Sequence, residues 1–408
     1  MAITLVAIAA LAAATGAMAQ SSVTLYGALD AGYSNAEYVK NSVSQVKRSG
    51  IALGANDTSR WGLTGKDDLG GGMSSEFKIE SQIGQHPRAG LGGYDITKKG
   101  DLNSVNNYSY TNGSPEKGNG FTLDSTVLGN RELWAALNTN TGTTIKVGYG
   151  VTALRVLAVE TDASASNVYG NQIGAAVGGF RRMGTRIDQS FGATTASFGI
   201  FGQDQKTTAT DVGEVRVNKG YTANVQYKQG AINGGIGYDK ARSSNPALVS
   251  DQSATGFALT PSATNTLAVS AADKEVSTVM AGGSYDLGSA KLFAQIWNQK
   301  ADYYSGGVKS SSTTIGAGKL TGESIGVRVP VGAWTPFAQY YNGKNKVTVA
   351  TGTAESRKST GPSMGVKYDF SKRTYAYLVT GSVKTDASTA GSDKAEFKQT
   401  SFGLVSYF

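Results

Sequence analysis

Four basic side chains stand singly among apolar neighbours: Arg60 before Trp61, Lys78 between Phe77 and Ile79, Lys146 between Ile145 and Val147, and Arg186 before Ile187. In an extended chain successive residues point to opposite faces, so each base lies on the side its apolar neighbours avoid. Isolated cations of this kind do not attack bonds. Facing a narrow aqueous passage they steer ions, and their field strengthens as the local dielectric falls. Glu76 and Glu80 share the side of Lys78 and are expected to neutralise part of its charge. By the same parity Glu132 points with the bases, whereas Arg131 falls on the side of Leu133 and Ala135. Glu160 and Asp162, two residues apart in a turn-prone stretch, supply acids, and Arg181 and Arg182 stand where that stretch returns to a strand.

Catalytic groups are scarce. The chain has one histidine, His86, followed by Pro87, and no cysteine. A Ser–His or Cys–His pair would rest on a single loop residue, and zinc sites built from clustered His and Cys are excluded by count. Gly234-Gly235-Ile236-Gly237 lacks the strand-to-helix setting of a phosphate loop. The residues therefore call for no cofactor, no metal and no enzymatic step. The formal charge of +8 comes from scattered Lys and Arg without a basic helix or an RNP-like motif, which argues against a nucleic-acid partner.

The elements that would carry these side chains are strands. Tyr221, Ala223, Val225 and Tyr227 interleave with Thr222, Asn224, Gln226 and Lys228, giving one apolar and one polar wall; Met364, Val366, Tyr368 and Phe370 interleave with Gly365, Lys367 and Asp369 in the same way. Sixteen strands are expected, at about 22–34, 56–66, 72–84, 121–138, 143–150, 184–190, 193–205, 214–229, 231–241, 274–286, 289–303, 316–329, 334–349, 356–370, 373–386 and 394–408. Alternate connections are turn-sized, among them Thr139-Asn140-Thr141-Gly142, Gln229-Gly230, Leu287-Gly288 and Ser371-Lys372. Those between them are longer and polar, as in Gln85–Gly120, Gly150–Gly184 and Arg242–Asp273. Short turns at one rim and long loops at the other suit a transmembrane antiparallel β-barrel. The final run, Thr400–Phe408, sets Phe402, Leu404 and Phe408 on one side and ends on an aromatic residue. Pairing it with the first strand would remove the sheet edge that a bilayer cannot tolerate. At the other end, Ile3–Ala14 is almost continuously apolar and is followed by Ala17-Met18-Ala19, so residues 1–19 read as an export signal cleaved near Ala19 and Gln20, and residues 20–408 as a single barrel domain.

Three pieces of sequence resemble a known family. Ser21-Ser22-Val23-Thr24-Leu25-Tyr26-Gly27-Ala28-Leu29-Asp30, the run Ser59-Arg60-Trp61-Gly62-Leu63-Thr64-Gly65-Lys66-Asp67-Asp68-Leu69-Gly70-Gly71-Gly72 and the Phe-ended last strand are similar to the general porins of Gram-negative bacteria, most closely the β-proteobacterial type; Ser371-Lys372-Arg373-Thr374 also looks like that family's penultimate hairpin. The resemblance implies an all-β, sixteen-stranded barrel in the outer membrane, a homotrimer among lipid and lipopolysaccharide, that lets small hydrophilic solutes and ions diffuse through. It further implies a third long loop, here Val151 to about Met183, folded inward so that Glu160 and Asp162 face a basic wall of Arg60, Lys78, Lys146 and Arg186, with Arg181 and Arg182 at the loop's return. Glu132 stands where close relatives carry Arg, which weakens the anion preference expected of such a wall.

A substrate-specific channel, for a sugar or an organic anion, is the alternative. It would need a continuous aromatic ladder inside, and most Tyr fall on outward or rim positions, with Tyr26 an inward exception. An adhesive β protein would share the strand rhythm and lack a conducting path.

Overall fold

A computed structural model describes residues 22–83, 129, 131–164, 181–202, 205–206, 215–216, 218–243, 273–305, 308–309, 318–348, 354–387 and 394–408. Residues 1–19, His86 and the long connections around 91–120 and 244–272 lie outside this set, as does the first part of the expected fourth strand.

The wall begins with β1 (Ser22–Lys40), β2 (Val43–Leu53), β3 (Arg60–Gly70), β4 (Met73–Gln82), β5 (Glu132–Asn138) and β6 (Thr143–Val151). A short helix, α1 (Ala153–Glu160), follows before β7 (Arg181–Phe191) and β8 (Thr194–Gly202). Two-residue β9 (Gln205–Lys206) and β10 (Val215–Arg216) pair only with each other. The wall resumes with β11 (Asn218–Gln229), β12 (Ile232–Ser243), β13 (Asp273–Asp286) and β14 (Lys291–Ser305); β15 (Val308–Lys309) pairs antiparallel with the end of β14. It closes through β16 (Gly318–Arg328), β17 (Trp334–Thr348), β18 (Ala354–Asp369), β19 (Thr374–Ala387) and β20 (Ala395–Tyr407). Every pairing is antiparallel between neighbours, and β20 returns to β1 from Ala28↔Tyr407 to Lys40↔Ala395. Phe408 completes the seam by exchanging backbone hydrogen bonds with Gly27. The result is a closed barrel of sixteen strands, in which β2 and β3 are two parts of one stave, because both pair with β1.

The first hairpin is longer than the sequence rhythm indicates. β1 runs on to Lys40, and Asn41 and Ser42 turn it with positive φ (49° and 66°) into β2, so part of the expected first loop is strand. On the side of Tyr33, which faces outward lower down, the residues there are polar, with Glu37 opposite Lys47, so no apolar–polar alternation marks them. Between Leu53 and Arg60 the chain then leaves the ladder. Residues 54–59 stand opposite only Leu29 and Asp30 of β1 and tuck inward, with Ala55 and Asn56 buried. Asp30 mends the gap: its Oδ2 accepts the backbone N–H groups of Asn56 and Asp57 (2.7 Å each), and its Oδ1 accepts the Tyr377 hydroxyl (2.7 Å). Ala55 packs there with Phe337, Tyr375, Tyr377, Val379 and Val405.

Large apolar side chains line the outside: Leu29, Val147, Ile187, Ile236, Ile296, Ile325 and Phe402 are all exposed, and their strand neighbours are not. Exposed apolar surface on this scale, continuous around the sheet, is a lipid-facing belt. Trp334, Tyr368 and Phe370 form an aromatic group beside a short-turn rim, with ring centroids 4.5 and 5.0 Å apart, where amphipathic rings meet headgroups. No helix among the described residues is long and apolar enough to cross a membrane; the crossing is made by strands.

Candidate functional site

Parity sends the polar side chains into the lumen, and on β3 to β7 they form one connected arc. Glu80 is its hub and is buried. Its Oε1 accepts Arg131 Nε at 2.7 Å; its Oε2 accepts the Tyr26 hydroxyl at 3.0 Å and lies 3.3 Å from Lys78 Nζ and 3.8 Å from Arg60 Nε. Lys78 Nζ also donates to Glu132 Oε1 at 3.0 Å. The other oxygen of Glu132 accepts Trp134 Nε1 at 2.7 Å. Arg60 NH1 reaches Asp57 Oδ1 and the Thr58 carbonyl, both at 2.8 Å, so the inward tuck of residues 54–59 fixes its guanidinium. Further round, Arg186 pairs with Asp188 (2.8 Å) and donates to the Val151 carbonyl (2.8 Å). Lys146 differs from the rest. It makes no ion pair among the described residues, and its ammonium sits 3.9 Å over the Trp134 ring.

Arg131 departs from the sequence reading. β5 begins only at Glu132, so strand alternation does not extend back to Arg131, and its side chain turns to Glu80 instead of the Leu133 side. Arg181, at the first residue of β7, makes no ion pair among the described residues, whereas Arg182 leaves the arc to pair with Asp239 on β12 (2.8 Å), its guanidinium 4.2 Å over Phe201.

The described part of the third long connection, residues 152–164, folds inward as α1, and its acids are held away from the arc. Thr152 caps the helix by accepting Arg155 N at 3.3 Å, and the i, i+3, i+4 spacing of Leu154, Leu157 and Ala158 gives it one buried apolar face. That face lies on the far wall, where Leu154 and Ala158 cluster with Met280, Trp297, Leu320, Tyr341 and Val383. Small residues make the room: a Cβ on Gly237 would stand 2.7 Å from Leu154 Cδ1, and one on Gly282 would stand 2.4 Å from Thr161 Oγ1. Neutral amides hold the main chain. Asn224 Nδ2 donates to the Ala153 carbonyl and Gln295 Nε2 to the Ala158 carbonyl, both at 2.8 Å; Gln339 Oε1 accepts Ala163 N and Ser164 N at 3.2 Å.

Glu160 is part of this seat. Its Oε2 accepts Gln226 Nε2 at 2.8 Å and lies 3.5 Å from Lys228 Nζ. Asp162 is buried and accepts Ser164 N at 3.1 Å and the Ser164 hydroxyl; burial pushes this loop carboxyl above its ordinary range, opposed by those bonds and by the charges of Arg155 and Arg328. Arg328 donates to the Ala163 carbonyl at 2.7 Å. The base that the loop turns toward the arc is Arg155, whose charge acts on Arg181 and Arg131. Opposed loop acids and wall bases, as the resemblance implies, are thus replaced by an acid-docked loop beside a wall carrying its own acids. Arg328 was readable from parity, since Ile325 and Val327 face outward on β16. Asp57 was not, because it lies where the ladder is interrupted.

A model of the Gram-negative porin family matches residues 4–388. The chain is 26% identical to outer membrane porin protein 32 of Delftia acidovorans over 390 residues, covering 95% of this chain and 91% of the relative. It is 24% identical to an outer membrane porin protein of Bordetella pertussis (strain Tohama I), covering 92% of each. Among solved structures, the anion-selective porin from Comamonas acidovorans superposes with a TM-score of 0.63 at 19% identity, over 95% of this chain and all of that one. OmpT of Vibrio cholerae gives 0.58 at 14% identity, over 95% and 98%.

Proposed function

Because the chain belongs to the Gram-negative porin family, we propose that the charged arc is the selective step of an outer-membrane channel, one that passes small hydrophilic solutes and ions passively with a modest preference for anions. Channel and location follow from family and barrel; the preference is supported by the arc. Arg60, Lys78, Arg131, Lys146, Arg181 and Arg186 outnumber Asp57, Glu80, Glu132 and Asp188. The observation that carries the reading is that four of these bases are paired with acids while Lys146 and Arg181 make no ion pair among the described residues. Glu80 and Glu132 are buried among several bases, so the paired charges are held close together and mainly cancel in the far field. The residual positive field raises the local concentration of anions. The solved relative described as anion-selective is consistent with this sign.

Most of the charges of the arc are engaged with one another, and the family is one of channels, which favours transport without a chemical step. The trimeric state and contacts with lipopolysaccharide belong to the same proposal, as does cleavage of residues 1–19 during export.

Reversal potential across a planar bilayer in a potassium chloride gradient tests the preference. Wild-type protein should show anion selectivity, and Arg60→Ser should reduce it, since that change leaves Asp57 with one cation fewer. A clear cation preference in the wild type would refute the sign.

A further inference from the structure

We infer that Trp134 is a positioning residue that keeps Lys146 unneutralised, by standing between it and Glu132; this rests on the channel reading above. On β5 the inward residues run Glu132, Trp134, Ala136, and on β6 Ala136 faces Lys146 while Trp134 faces Gly148. The indole therefore occupies the space between the carboxylate and the ammonium. It engages both: Nε1 donates to Glu132 Oε2 at 2.7 Å, and the ring face lies 3.9 Å from Lys146 Nζ. Glu132 is thereby held with one oxygen on the indole and the other on Lys78. The cation–π contact retains the Lys146 charge while supplying no counter-charge.

β6 lies close against the backbone of β5 at Trp134 and leaves room beside the ring at Gly150. Gly148 has φ +133°, a conformation side-chain-bearing residues avoid, and a Cβ there would stand 2.3 Å from the Leu133 carbonyl oxygen and 2.9 Å from Trp134 Cβ. A Cβ on Gly150 would stand 3.2 Å from the indole Cδ1. With the indole removed, the flexible Lys146 stem and Glu132 have nothing between them, and an ion pair forms that silences the arc's unpaired lysine.

The test uses single channels of full-length protein in planar bilayers. Trp134→Ala is expected to widen the passage, raising conductance, and yet to shift the reversal potential toward cations. Trp134→Phe keeps the ring face and should keep selectivity near wild type. Glu132→Gln added to Trp134→Ala should restore anion preference, because no carboxylate then awaits Lys146. If Trp134→Ala raises conductance with no change in reversal potential, or the double variant fails to restore it, the inference is overturned. Absence of channel current from folded wild-type protein would instead remove the channel reading itself.

Discussion

The two walls of the lumen solve different problems with different chemistry. The wall of β3 to β7 carries ionised side chains that hold one another: Glu80 serves Arg131, Lys78 and Arg60 together. The wall from β11 to β17 holds a piece of main chain, and there most of the work falls to Asn224, Gln295 and Gln339, with Arg328 on the Ala163 carbonyl. An amide satisfies a backbone carbonyl or N–H without adding net charge, so it anchors the loop and contributes little to the field in the passage. The network of ion pairs around Glu80 stands on the side left for solutes, whereas on the side where the helix is fixed neutral amides make most of the contacts to the main chain. Glu160 and Asp162, which look like field-setting acids in the sequence, belong to the second wall.

The sharpest way to break this division is to unseat the helix. Leu154→Ala removes the side chain that fills the space beside Gly237 and should cost about 2–5 kcal/mol of loop docking, within the range for buried leucines. Channels of the variant should be noisier and more conductive, while the barrel itself still resists heat in detergent. An unchanged current trace would mean the helix does not border the conducting path. Glu80→Gln acts on the other wall. Removing the shared acceptor should cost about 1–3 kcal/mol, read as a lower melting temperature, and shift reversal potential toward anions, because Arg131, Lys78 and Arg60 lose a common counter-charge. A shift toward cations would show that the arc's charges act through some other arrangement. Glu160→Gln should do least: an amide oxygen can still accept from Gln226, and the pair with Lys228 is solvent-exposed, so stability should change by no more than about 1 kcal/mol with little effect on selectivity. A large selectivity change would return Glu160 to the conducting path.

Strand alternation made much of this visible in the sequence. Lys78, Lys146 and Arg186 can be placed because each has apolar residues beside it on a regular strand, and the barrel follows from the rhythm of short and long connections. Parity stops where the ladder stops, which is why Arg131, one residue before β5, points opposite to expectation. It also stops where the outward face turns polar, as in the upper part of the first hairpin, where Glu37 stands opposite Lys47. The destinations of Glu160 and Asp162 were illegible for another reason. The strands that seat them are distant in sequence, with Gln226 on Glu160 and Gln339 on the segment ending at Ser164, and nothing local distinguishes a docking acid from one facing solutes.

The detour at residues 54–59 carries a topological constraint. Six residues replace the two that an uninterrupted stave would set opposite Leu29 and Asp30, and the surplus is even. Leu53 consequently keeps to the oily side and Arg60 to the wet side, as their partners Ala31 and Ala28 require. Lengthening or shortening this segment by pairs of residues preserves that assignment; a single added residue would have to be absorbed by the Asp30 knot, or the whole of Val43–Leu53 would turn inside out.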